Sequence, residues 1–158
     1  RRANYGDNFF VPEDDEYIIV SPIKLGVDWS SRKISDLILD VSSNLKIDEN
    51  RIYLTGLSMG GRGTFIVASE LPDTFAAIMP FSPHHTPYSY KEKSMKVSHL
   101  PIYLHHSKND RISSFTIAED TYNNIKAINH NIIFNIGNTG HTGWPKLYGD
   151  ESIIRWLL

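Results

Sequence analysis

The chain has 158 residues, 41% of them apolar and 22% charged, enough for a globular body with its own core. Lysine and arginine total 16 against 18 acidic residues, a net charge of -2, which gives no electrostatic case for nucleic acid or an anionic membrane as partner. There is no cysteine, which excludes disulfides, thiolate catalysis and cysteine-ligated metals, and no apolar run approaches the roughly 18 residues of a membrane span.

Residues 17–21 (YIIVS) have the character of a short buried strand closed by Pro22. Ile34, Leu37, Ile38, Val41 and Leu45 recur at helical spacing, which predicts an amphipathic helix over 33–46. Residues 51–56 (RIYLTG) form the next expected strand. A helix follows Ser58 and runs to Leu71, where Pro72 stops it. Residues 76–81 (AAIMPF) are a third strand. Residues 83–100 hold prolines, tyrosines and charges without period, and are expected to be a loop or small lid over a pocket. Residues 101–106 (PIYLHH) are a fourth strand. Phe115, Ala118, Tyr122 and Ile125 give another helical stripe. Residues 132–136 (IIFNI) are the fifth strand, and 151–158 a closing helix. Alternating strands and helices predict an α/β fold, a mostly parallel sheet with helices on both faces. Active groups in such sheets sit in loops at the carboxyl ends of the strands.

One of those loops holds Gly56-Leu57-Ser58-Met59-Gly60, a G-x-S-x-G pattern between an expected strand and an expected helix. The tight turn pushes the serine hydroxyl out over the sheet, and Gly56 and Gly60 are expected to let backbone pass close by. The Met59 N–H, heading the helix, can receive a developing oxyanion. A serine hydroxyl needs a base. His141, in the loop after the fifth strand (GNTGHTGW), is the candidate, and Asp110, after the fourth (HHSKNDR), is the acid to orient it. Taken singly, such an aspartate is equally a turn former and such a histidine a loop residue. Together they occupy three successive carboxyl-end loops in the order Ser, Asp, His.

Other candidates carry less chemistry. Asp120 falls within a helix, Asp73 at a turn, and His99 and His130 toward solvent. His105 and His106 are adjacent on a strand and point to opposite faces. No His pair has metal-ligand spacing, so no metal site is expected. His84, Tyr88 and Trp144 could stack on a substrate ring, or simply pack the loop.

RIYLTGLSMGGRGTF, LPDTFAAIMPFSP, PIYLHHSKNDRIS and GHTGWPKLYGDESIIRWLL resemble the bacterial carboxylesterase group of the α/β-hydrolases, which includes dienelactone-hydrolase-like, polyhydroxybutyrate-depolymerase-like and feruloyl-esterase-like enzymes. The resemblance covers residues 17–158. It implies an α/β-hydrolase fold, a triad of Ser58, Asp110 and His141, an oxyanion amide from Met59, and ester cleavage with no cofactor. Feruloyl or acetyl esters on carbohydrate are the substrates that family analogy implies. A serine peptidase with the same triad and a non-catalytic hydrolase-like domain are the alternatives.

The family's sheet has further strands before the segment that matches 17–21, and the last of them ends in a His-Gly loop that gives a second oxyanion amide. No such motif occurs here. Residues 1–8 (RRANYGDN) resemble the family's segment directly after that loop. The expectation is therefore a single domain that forms the later part of the fold, from the fourth strand onward. An N-terminal segment of the same protein would be its partner.

Overall fold

A computed structural model describes residues 8–83 and 90–158. The elements in chain order are α1 (Ser31–Asn44), β1 (Tyr53–Leu57), α2 (Met59–Glu70), β2 (Ala77–Phe81), α3 (Lys91–Lys96), β3 (Ile102–Ser107), α4 (Phe115–Lys126), β4 (Ile132–Gly137), α5 (Trp144–Tyr148) and α6 (Glu151–Leu157). The four strands form one parallel sheet in the order β1-β2-β3-β4.

Helix starts follow local chemistry. Ser30 caps α1 by accepting from the Lys33 N–H, and Ser114 caps α4 by accepting from Ile117. Asp150 accepts from both Ser152 and Ile153 at the head of α6. The exception is α2, whose N-cap residue Ser58 makes no side-chain cap bond. Its hydroxyl is committed elsewhere.

The inner strands β2 and β3 are buried along their whole length, as expected for strands covered on both faces. Their alternation divides the core in two. Ile78, Ile102, Leu104 and Ile132 face Ile34, Phe65, Ala118 and Ile125 of α1, α2 and α4. Ala77, Met79, Phe81 and Tyr103 face Trp144, Tyr148, Ile153, Ile154 and Leu157 of α5 and α6. Phe9 stacks on Tyr148 at 4.5 Å and extends this second layer. Pro80 interrupts the β2–β3 ladder, which pairs at Ile78↔Ile102 and Phe81↔His105 on either side of it. A proline has no N–H to give.

The strand expected over 17–21 does not form. That stretch is irregular, and Ile18, Ile19 and Val20 are 55%, 40% and 44% exposed. Its apolar run meets no neighbouring strand, because the outer edge of β1 is unpaired among the described residues. The sheet thus has four strands rather than five. Two short helices, α3 and α5, arise where none was expected.

Candidate active site

Every strand of the sheet points its carboxyl end to one edge, and the candidate residues gather there. Ser58 follows β1 directly and has φ 52°, in the left-handed region that a side chain disfavours. Backbone bonds hold it there: its N–H donates to Phe81 O at 2.9 Å, and its own carbonyl accepts from Arg62 at 2.9 Å. The turn closes only because Gly56 is bare. A Cβ on Gly56 would lie 2.4 Å from the carbonyl carbon of Gly60, and one on Gly61 would lie 2.7 Å from Phe81 O. Gly60 itself differs from expectation: a Cβ there would meet nothing within 4 Å. It supplies the backbone that Gly56 approaches, and has no need of its own to be glycine.

Asp110 lies in the turn after β3. Its Oδ1 accepts from the Ile112 and Ser113 amides at 2.8 and 2.9 Å, and its side chain is wholly buried. Burial pushes its carboxyl up. The Ser113 amide, His141 and the Ile112 amide outweigh burial and hold it below the ordinary carboxylate range.

His141 lies in the loop after β4, 2.7 Å from Asp110 Oδ2 through Nδ1 and 2.7 Å from Ser58 Oγ through Nε2. The ionised carboxylate can only accept, so Nδ1 carries the proton. Nε2 is then the acceptor for the Ser58 hydroxyl. The loops of Asp110 and His141 are also tied to each other. Asn109 accepts from the Gly140 amide through Oδ1 and donates to Asn138 O through Nδ2, both at 2.9 Å.

Met59 opens α2, so its N–H is one of the helix's first amides, which lack an intrahelical acceptor. Its carbonyl accepts from the Trp29 indole at 2.8 Å. Trp144 packs edge-on to His141 at 5.0 Å, donates its indole N–H to Ser82 Oγ at 3.2 Å, and is only 7% exposed. Ser82 is the second non-glycine residue at positive φ, 42°, at the end of β2. His84 and Tyr88 lie outside the described residues, as do residues 1–7. Among the described residues no group of three or more His, Cys, Asp or Glu could hold a metal ion, and no helix is long and apolar enough to cross a membrane.

Residues 20–150 match the family described as phospholipase/carboxylesterase. The chain belongs to that family. Among curated proteins, this phospholipase/carboxylesterase chain is 31% identical to cutinase est1 of Thermobifida alba over 133 residues, 73% of this chain and 43% of that one. It is 35% identical to cutinase est2 of the same organism over 92 residues, 56% of this chain and 29% of that one. A solved thermostable esterase superposes with TM-score 0.72 at 27% identity, over 80% of this chain and 35% of that chain. The chain thus spans less than half the length of each of these three proteins. Sequence reasoning did not single out Trp29 or Ser82 and noted His106 only as a strand residue. Trp29 and Ser82 matter through approaches between distant segments, and His106 through a turn that brings Ser113 and Asp110 back against it; none of these leaves a periodic pattern.

Proposed function

We propose that this chain carries the catalytic centre of a carboxylic ester hydrolase that works through an acyl-enzyme on Ser58. The observation that supports it most is the continuous relay from Asp110 through His141 to Ser58, with both bonds at 2.7 Å. In the forward half, Ser58 Oγ bonds to the ester carbonyl carbon while its proton passes to His141 Nε2. The oxyanion so formed lies against the Met59 amide, and Asp110 stabilises the imidazolium. The carbon–oxygen bond to the alcohol breaks, and the alkoxide takes the proton from His141. Water then attacks the acyl carbon and gives a proton to His141; the bond from that carbon to Ser58 Oγ breaks, Ser58 takes the proton back from His141, and the acid departs. None of these steps requires a metal or cofactor.

A second oxyanion amide would come from an upstream segment of the same protein, as the resemblance implies. One such donor is worth on the order of 10²–10³ in kcat. For substrate we favour a carbohydrate-linked feruloyl or acetyl ester, with His84 and Tyr88 as its contacts and Trp144 forming the wall behind His141. The cutinase names of the relatives support a polyester as the second reading.

The test is labelling of the whole protein with a fluorophosphonate, beside hydrolysis of p-nitrophenyl acetate and butyrate. The expected result is one adduct, on Ser58, and turnover lost in Ser58→Ala. No adduct on Ser58 and no Ser58-dependent turnover would refute the reading in favour of a non-catalytic domain. Cleavage of a peptide anilide at a rate comparable to the ester would refute it in favour of a peptidase. Release of ferulate or acetate from xylan oligosaccharides, against release of monomer from a polyester film, separates the two substrates.

A further inference from the structure

His106 is on β3, one residue from the strand's end and four before Asp110, and its side chain is wholly buried, as is that of Asp110. Its Nε2 lies 3.0 Å from the Ser113 carbonyl and 3.5 Å from Asp110 Oδ2. Both neighbours are acceptors, so Nε2 must carry a proton. That N–H is donated to Ser113 O, and the same ring nitrogen lies 3.5 Å from the oxygen that binds His141. Burial holds His106 below the ordinary histidine range against the pull of the Ser113 carbonyl and Asp110, and the nearby His105 and His141 add to the lowering. The ring is therefore a neutral donor. Phe115 of α4 packs edge-on to it at 6.1 Å and fixes its plane.

We propose that His106 is a positioning residue for the triad. It steadies Asp110 Oδ2 and takes up part of the carboxylate's charge, so that Asp110 acts on His141 with a set orientation and a moderated field. It touches neither substrate nor the reacting atoms. Ser113 links the two effects, because its N–H binds Asp110 Oδ1 at 2.9 Å while its carbonyl binds His106. The inference rests on the reading of Ser58 as an esterase nucleophile.

The experiment compares His106→Phe, which keeps a ring against Phe115 and removes the donor, with His106→Gln, whose amide reaches the Nε2 position. Both are made in the whole protein. With the donor gone, Asp110 pulls harder on the proton of the base. In His106→Phe the acid limb of kcat/KM should therefore move to higher pH by about half a unit. Its kcat should fall about fivefold with KM unchanged. His106→Gln should keep the wild-type limb. A structural role alone would lower the amount of active enzyme and leave the limb in place.

The His141 Nδ1 proton resonance gives a second readout that needs no turnover, and it should move downfield in His106→Phe only. Ser58-dependent turnover with an unmoved limb and resonance in His106→Phe would overturn the proposal and leave the esterase reading intact. Absent turnover with a shifted resonance would sink the esterase reading alone. Should His106→Phe fail to fold, His106→Asn replaces it, since its amide stops short at the Nδ1 position. Equal resonances in the Asn and Gln variants would then overturn the proposal.

Discussion

Replacing Gly56 with alanine should damage the protein, whereas the same change at Gly60 should not. A Cβ on Gly56 would lie 2.4 Å from Gly60 C, 2.5 Å from Gly60 O and 2.9 Å from Gly60 Cα, all main-chain atoms of the first turn of α2. Ordinary contact begins near 3.4 Å. The head of α2 would have to retreat by about an ångström from β1, more than a well-packed interior absorbs through rotamer changes. Overpacking typically costs about 1–3 kcal/mol, and the upper end applies where both sides are backbone. That corresponds to a fall of about 6–12 °C in Tm for a protein of 150–250 residues. The same retreat carries Ser58 away from His141 Nε2, now 2.7 Å distant. A misplacement of about 1 Å can cost on the order of 10²-fold in rate. At Gly60 the added methyl group meets open space, and replacing a helical glycine gains about 0.5–1 kcal/mol. Thermal melts of the two variants, with p-nitrophenyl butyrate turnover on the same samples, decide the matter. Equal Tm and turnover for the two would refute the account of the turn.

Asp110→Asn should leave Tm within a few degrees and cut kcat about 10⁴-fold, because an amide can satisfy His141 only in the wrong tautomer; single-turnover kinetics would show it. At Ser82, alanine removes the acceptor for Trp144 Nε1 and keeps the left-handed φ of 42°, whereas glycine removes the acceptor and relieves the strain. Ser82→Ala should therefore lose about 1–3 kcal/mol in urea titration and Ser82→Gly less, and the reverse order would refute the strain argument. Burial holds both His105 and His106 below the ordinary value of 6.5. The unfolded chain then binds their protons first, so stability present above pH 6.5 should drop as pH falls below it, until the depressed folded values are passed. Tm measured across that window should decline, and a flat profile would contradict neutral burial. A further loss should follow below 3.8 from Asp110, whose native carboxyl is depressed.

The strand–turn–helix at Ser58 was legible because three independent signals coincide there: an apolar strand before it, glycines around it and a helix after it. Asp110 and His141 were legible through topology, since parallel strands deliver their loops to one edge. What failed was the strand over 17–21. Apolar character records that a segment could be buried, and burial requires a neighbour that a single sequence does not display. The helix at Trp144–Tyr148 was missed for a different reason. It is only five residues long, too short to show a helical period, and Pro145 sits in its first turn, where a proline costs no hydrogen bond. His106, Ser82 and Trp29 carry no local signal of their parts. Trp29 lies so close over α2 that a Cβ on Gly63 would come within 2.4 Å of its ring. Gly63 is bare because that ring approaches, yet the glycine alone does not name its neighbour.

The bond between Ser58 and His141 spans 83 residues of sequence. Nothing shorter than the assembled sheet can close it, because the two side chains ride on β1 and β4 with two strands between them. A slip of β4 by one residue would turn its side chains to the other face and shift the start of the loop that carries His141. Such a contact should form late, after the loop-closure entropy of every intervening crossover has been met. Recovery of fluorophosphonate labelling at Ser58 after denaturation should consequently report the last event of folding. A refolding chain whose spectroscopic signal returns before its reactivity would be one with its helices in place and its sheet still out of register.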